Sequence, residues 1–183
     1  SSGNGRHLST GDYNGDEATS GIVGGADDFD GSNDYLTNET AESWLNGLSA
    51  TTWYVWVESD NANTNRNIIS AVNGDGYMMR YDSAGWRGGG SQVVQWQVTS
   101  TGGEEARYES ASGVQSTSWQ NLVSSWNGTT GDLRFFVDGT EDSSTYDVNG
   151  TGTTTGATFL HIGYSQSSGG WWDGKIDEVR ISS

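Results

Sequence analysis

At 183 residues, with a formal charge of −16 and neither cysteine nor proline, the chain is long enough for one domain with a buried core. The 24 acidic residues against eight basic ones exclude nucleic acid and anionic membrane surfaces as partners. The absence of cysteine removes disulfides, thiol catalysis and thiolate metal sites, and no apolar run approaches the roughly 18 residues of a membrane helix, so membrane insertion is not expected.

Hydrophobic residues make up only 32%, but nine Trp, eight Tyr and four Phe supply large side chains to bury. An acidic, lysine-poor surface suits an extracellular or cell-surface protein, including one in a saline medium. With 28 glycines and no proline, turns fall to Gly, Asn and Asp.

Residues 1–28 read as a loop-rich opening segment. Within it Asp12-Tyr13-Asn14-Gly15-Asp16 imitates the start of a calcium loop. Glu17 and Val23 stand where that loop needs its sixth-position Gly and twelfth-position Glu, so it reads as a solvated loop. From Phe29 onward the pattern is β. Residues 52–57 are aromatic and β-branched at both parities, as in a strand central to a packed sheet. Segments 67–72 and 77–81 flank Asn73-Gly74-Asp75-Gly76, a hairpin signal. Val94, Trp96 and Val98 alternate with Gln95 and Gln97, which predicts a half-buried strand.

Segments 119–126, 133–137 (ending at Asp138-Gly139), 159–164 and 176–181 complete the strands, and only 41–48 offers a short helical turn. Strict alternation would set Ile176 against Val179 and Ile181. A bulge at Asp177-Glu178 would let all three face inward. Trp53, Trp56, Trp96, Trp119 and Trp126 fall inside strands and are expected in the core. Short strands separated by Gly, Asn and Asp turns predict an all-β, two-sheet antiparallel β-sandwich, with one domain over residues 1–183.

Trp171 and Trp172 follow a Gly/Ser run at 167–170. Successive side chains of an extended segment cannot both be buried. Aromatic faces on loops stack on the C–H faces of sugars, while Asn, Gln, Asp and Arg hold the hydroxyls. Trp171 and Trp172 are therefore carbohydrate-binding candidates, with Trp86 and Arg87 as a second pair and Tyr164 as an addition. The alternative is that one Trp of each pair caps the core. No catalytic set is expected. Glu104-Glu105 and Asp177-Glu178 are adjacent, so their carboxylates point to opposite faces unless a bulge intervenes, whereas a retaining glycosidase holds its pair about 5 Å apart. His161 lies in an apolar strand and reads as a packed histidine.

Several runs, in order, resemble those of one family. Phe29-Asp30-Gly31-Ser32-Asn33-Asp34-Tyr35 is similar to the opening motif of the concanavalin A-like, laminin G-like jelly-roll domains of secreted prokaryotic proteins. Trp119 to Trp126 with Asn127-Gly128 resembles their Trp-centred strand and turn. Leu133-Arg134-Phe135-Phe136-Val137-Asp138-Gly139 resembles their hairpin. Leu160-His161-Ile162-Gly163 and Asp173-Gly174-Lys175-Ile176-Asp177-Glu178-Val179-Arg180-Ile181 resemble their closing strands.

The resemblance implies a concanavalin A-like jelly roll, expected to be a module cut from a larger protein. It also implies one structural calcium (Ca2+) where first and last strands meet, held by Asp30, Asn33 and Asp34 on a turn and Asp177 on the last strand. Calcium takes six to eight oxygens, which these residue types supply. The alternative is that Glu178 pairs with Arg180 or another arginine and Asp34 caps the turn.

The function expected is a non-catalytic, calcium-stabilised carbohydrate-binding or adhesion module of an extracellular multidomain protein. Its partners would be a polysaccharide or cell-surface glycan and the other domains of the parent protein. The alternatives are a structural spacer or protein-interaction module without a sugar site, and a polysaccharide hydrolase or lyase.

Overall fold

A computed structural model describes residues 9–10, 18–72, 76–85, 90–103, 105–143, 146–165 and 170–183. The chain runs β1 (Ser9–Thr10), β2 (Ala18–Ser20), β3 (Gly25–Asp30), β4 (Leu36–Asn38), α1 (Glu42–Leu45), β5 (Ala50–Ser59), β6 (Arg66–Ser70) and β7 (Tyr77–Asp82). It continues with β8 (Val93–Thr99), β9 (Glu105–Glu109), β10 (Gln120–Asn127), β11 (Leu133–Val137), β12 (Thr140–Glu141), β13 (Tyr146–Asn149), β14 (Leu160–Ile162) and β15 (Asp173–Ser182). One sheet has the order β1-β4-β14-β6-β7-β8-β9-β13 and the other β12-β11-β10-β5-β15-β3-β2. The two-sheet antiparallel sandwich is as the sequence predicts. The opening segment differs from its expectation: β1 and β2 add polar edge strands to the two sheets, pairing with β4 and β3.

β5 is central to its sheet, between β10 and β15. Trp53, Val55 and Val57 are fully buried, while Tyr54, Trp56 and Glu58 on the other parity are half-buried. Trp56 thus lies on the outer face rather than in the core, because a strand's side chains alternate, and its indole N–H donates to the Tyr54 hydroxyl at 2.8 Å. Trp119 precedes β10 and is also only half-buried. From the facing sheet, Tyr77 stacks on Trp53 (centroids 5.4 Å, 30°) and Trp96 meets it edge-on (5.9 Å, 87°). These rings, with Trp126, Phe135 and the β7 and β8 aliphatics, fill the space between the sheets.

The predicted turns form where backbone chemistry demands them. Asp138 and Gly139 have φ of 51° and 77°, both positive as a two-residue type I′ hairpin requires, and they join β11 to β12. The pairing Ser70↔Met78 bears out the β6–β7 hairpin; its turn at 73–75 lies outside the described residues. In β15 the register shifts between Asp177 and Arg180, with Glu178 at φ 53°. This is the anticipated bulge, and Ile176, Val179 and Ile181 all pack on the core.

Candidate functional site

Leu160 and Ile162 of β14 point into the core, so His161 between them occupies the outer face of its sheet. The chain then folds back over β6. Gly163 donates its N–H to the Ile68 carbonyl at 2.9 Å, Trp172 to the Gly163 carbonyl at 2.7 Å, and Asn67 to the Gly170 carbonyl at 3.2 Å. Gly163 has φ 85°, and a Cβ there would lie 2.6 Å from the Phe29 ring, so only glycine allows this approach.

The return loop puts its two adjacent tryptophans on opposite sides. Trp172 is 0% exposed and meets Tyr81 edge-on at 5.1 Å. It is a core residue rather than a sugar platform, since the backbone hydrogen bonds that seat the loop turn its side chain inward. Trp171 faces out and is half-buried.

Four rings form a continuous pile ending at Trp171. Phe159 stacks on His161 (4.0 Å, 17°), His161 on Tyr164 (5.7 Å, 24°) and Tyr164 on Trp171 (3.9 Å, 15°). Tyr35 stands against the side of the pile, 5.1 Å from His161, 5.4 Å from Tyr164 and 5.8 Å from Trp171. Tyr164 is half-buried, closely stacked on Trp171 and more loosely on His161, so it supports the Trp171 ring. Trp171 is the terminal ring, with its far face clear of aromatic neighbours among the described residues.

Sequence reasoning missed Tyr35 as part of this assembly. Tyr35 closes the run from Phe29, whose oxygens suggest a metal and whose single ring carries no local sign of its distant partners. Trp86 and Arg87, the second candidate pair, lie outside the described residues.

His161 is a packed histidine, as expected. Burial lowers its pKa, against the opposing pull of the Glu39 carboxylate, whose Oε1 is 3.6 Å from Nε2. Hydrogen-bonding groups lie beside Trp171. Arg66 Nη1 donates to the Trp171 carbonyl at 2.8 Å and to that of Gly31 at 3.4 Å. Its Nη2 is 3.8 Å from Asp173 Oδ2, which also accepts from Asn61 Nδ2 at 3.0 Å.

The expected calcium ligands do not all come together: Asp30, Asn33 and Asp34 share one turn, and Asp177 lies apart from them. Asp30 pairs across the sheet with Asp173. Asp177 is four residues farther along β15, about 13 Å at the rise of a strand. The oxygens are also engaged locally. Asp30 Oδ1 accepts from the N–H groups of Ser32 (2.8 Å) and Asn33 (3.3 Å), and Asp34 Oδ2 from that of Asp30 (3.0 Å). Asp177 Oδ2 accepts from the Val23 N–H at 2.9 Å. Asp30, Asn33 and Asp34 thus close their own turn, Asp177 ties down the β2–β3 hairpin, and Glu178 accepts from Arg180 Nε at 2.8 Å. Among the described residues no three His, Cys, Asp or Glu side chains converge as a metal site.

A cavity of about 180 Å³ between the sheets is lined by Asp27, Asp177 and Glu178 with Leu36, Ile162 and Val179 among others. It is smaller than the roughly 300–1,000 Å³ of small-molecule sites. No helix among the described residues is long and apolar enough to cross a membrane.

A sequence model described as the concanavalin A-like lectin/glucanases superfamily, of the laminin G type, matches residues 30–183. No curated protein matches the chain. Similar solved structures include domain 4 of AbnA, a GH43 extracellular arabinanase from Geobacillus stearothermophilus, in complex with arabinotriose. That pair has a TM-score of 0.56 and 17% identity over 90% of this chain and 73% of that one. Domains LG4-5 of the mouse laminin alpha1 chain give a TM-score of 0.60 at 13% identity, covering 84% of this chain and 40% of the other. The CBM40 domain of the Ruminococcus gnavus IT-sialidase, bound to alpha2,3 sialyllactose, gives 0.50 at 14%, covering 73% and 76%. At these identities the likeness shows the fold alone.

Proposed function

Because the chain belongs to the concanavalin A-like lectin/glucanase superfamily, we propose that it is a non-catalytic carbohydrate-binding module whose ligand stacks on the outward face of Trp171. The observation that carries this is the pile Phe159–His161–Tyr164–Trp171, which backs the half-buried Trp171 ring with other rings. A flat, preorganised aromatic surface suits the C–H face of a sugar. Asp173, Asn61 and Arg66, linked to the Trp171 backbone through its carbonyl, offer both acceptors and donors for hydroxyls. Two proteins of similar fold are in complex with arabinotriose and with sialyllactose, which supports a glycan as the class of ligand.

A non-catalytic role fits the adjacent acids, since Asp177 accepts from the Val23 backbone and Glu178 from Arg180. The calcium that the resemblance implies would have to be held without all four expected residues together, because Asp177 lies along β15 from the Asp30–Asp34 turn. A place in a secreted or cell-surface multidomain protein completes the proposal.

The test is Trp171→Ala in the full chain, followed by affinity electrophoresis on a panel of soluble polysaccharides. Binding to at least one polysaccharide by the parent chain and at least a tenfold loss in the variant, about 1.4 kcal/mol, is the expected result. Full retention by a folded Trp171→Ala protein would overturn the assignment of the site.

A further inference from the structure

Every cation that the structure describes is already engaged by a carboxylate. Arg66 lies 3.8 Å from Asp173, Arg80 2.7 Å from Asp82, Arg134 2.6 Å from Glu141 and Lys175 2.6 Å from Glu58. Arg107 pairs with Glu105 and Arg180 with Glu178. Only Arg6 and Arg87, outside the described residues, complete the eight basic residues of a chain with 24 acids.

Across β3, β15 and the end of β5, the strands that continue from Trp171, the imbalance is local as well as global. Asp28, Asp30 and Asp173 lie on paired strands that also carry Lys175. Glu58 and Asp60 lie alongside on the β5 side, where Asp60 donates its N–H to the Asp173 carbonyl. Arg66 and Lys175 are the described cations set against these five acids. Partial burial holds the Asp28 carboxyl above its usual range; Lys175 opposes this, and Asp60, Glu58 and Asp173 add to it.

Resting on Trp171 as the sugar platform, we infer that the site takes neutral glycans and discriminates against polyanionic ones, those built on uronic or sialic acids included. A carboxylate on a sugar is held best by an unengaged guanidinium in bidentate geometry. Among the described residues Arg66 is the arginine that reaches Trp171, through its backbone carbonyl, and taking it would strip Asp173 of its ion-pair partner and that carbonyl of its donor. The net charge of −16 acts at longer range, repelling a polyanion before contact, most strongly where salt is low. Neutral hydroxyls meet neither obstacle: they can donate to Asp173 and accept from Asn61 with the charge balance unchanged.

Matched polysaccharide pairs test this with the full chain. Suitable pairs are hydroxyethyl- against carboxymethyl-cellulose, arabinan against polygalacturonate, and carboxyl-reduced against native glucuronoxylan. Affinity electrophoresis is run at about 0.01 M and about 1 M salt, where the screening length falls from roughly 30 Å to 3 Å. The expected result is retention by a neutral member, at least tenfold weaker retention by its charged counterpart at low salt, and a narrower gap at high salt. A charged member bound as tightly as its neutral counterpart at low salt, or a gap that salt does not change, overturns the inference. Silence on both members of every pair is a different result, which overturns the glycan reading and takes this inference with it.

Discussion

The ring of Tyr164 lies 3.9 Å from that of Trp171 with 15° between their planes, and the His161 ring lies 5.7 Å from it at 24°. Tyr164 can therefore affect a ligand on Trp171 mainly through the ring it supports. Tyr164→Ala is expected to weaken glycan binding by about 1 kcal/mol, roughly fivefold, through lost preorganisation. Tyr164→Phe keeps the stack and should bind as the parent chain does. Titration calorimetry on the best polysaccharide distinguishes the two, and equal losses in both variants would point instead to a direct role for the hydroxyl.

The two neighbouring tryptophans should separate binding from stability. Trp172 is fully buried, so Trp172→Ala opens a large cavity and should cost about 3–5 kcal/mol of unfolding free energy. Trp171→Ala should cost well under that, since its ring is partly in solvent already. Denaturant titrations of both variants measure the difference. A milder loss at Trp172 than at Trp171 would contradict the assignment of one to the core and the other to the surface.

His161 predicts a dependence on pH. Burial lowers its folded pKa below the unfolded value of about 6.5. The unfolded chain therefore takes up a proton that the fold resists. The stability associated with neutral His161 is complete above about pH 6.5 and falls as pH drops below it. Unfolding midpoints should decline between about pH 6.5 and 5, above the range where most carboxylates titrate, and His161→Phe should flatten that part of the profile. Glu39 opposes the shift, so Glu39→Gln should steepen the decline. An unchanged slope in His161→Phe would assign the effect to other groups.

Asp177 tests the metal question. Asp177→Ala removes the acceptor for the Val23 N–H and should cost about 1–2 kcal/mol. The loss should be the same in excess calcium and in excess chelator, because the expected ligand set is divided along β15. A calcium-dependent melting temperature in the parent chain that Asp177→Ala abolishes would restore Asp177 as a ligand.

Much of this architecture is legible in the residues themselves. Alternation, Asn-Gly and Asp-Gly turns and the crowding of Ile176, Val179 and Ile181 are local signals. Hairpins and bulges obey local rules, so β11–β12 and the Glu178 bulge follow directly from them. The misses depend on partners distant in sequence. Residues 52–57 carry large side chains on both parities, so nothing local says which parity faces inward, and Trp56 turns out to face away from the core. The acidic residues of the supposed calcium set have suitable chemistry, but distance is decided by register: Asp30 meets Asp173, and Asp177 is left a long step down the strand. Tyr164 and Trp171 were individually visible. Their stacking depends on a loop that returns over β6, which no periodicity reveals.

Among the described residues one sheet edge is very short: β12 has two residues, Thr140–Glu141, with described non-strand residues on either side. An edge this short offers few free backbone groups on which a second molecule could build a continuous ladder. Many copies crowded along one polysaccharide chain would lie side by side at high local concentration, the condition under which exposed edges fuse into fibres. A blunt margin at β12 works against fusion on that side.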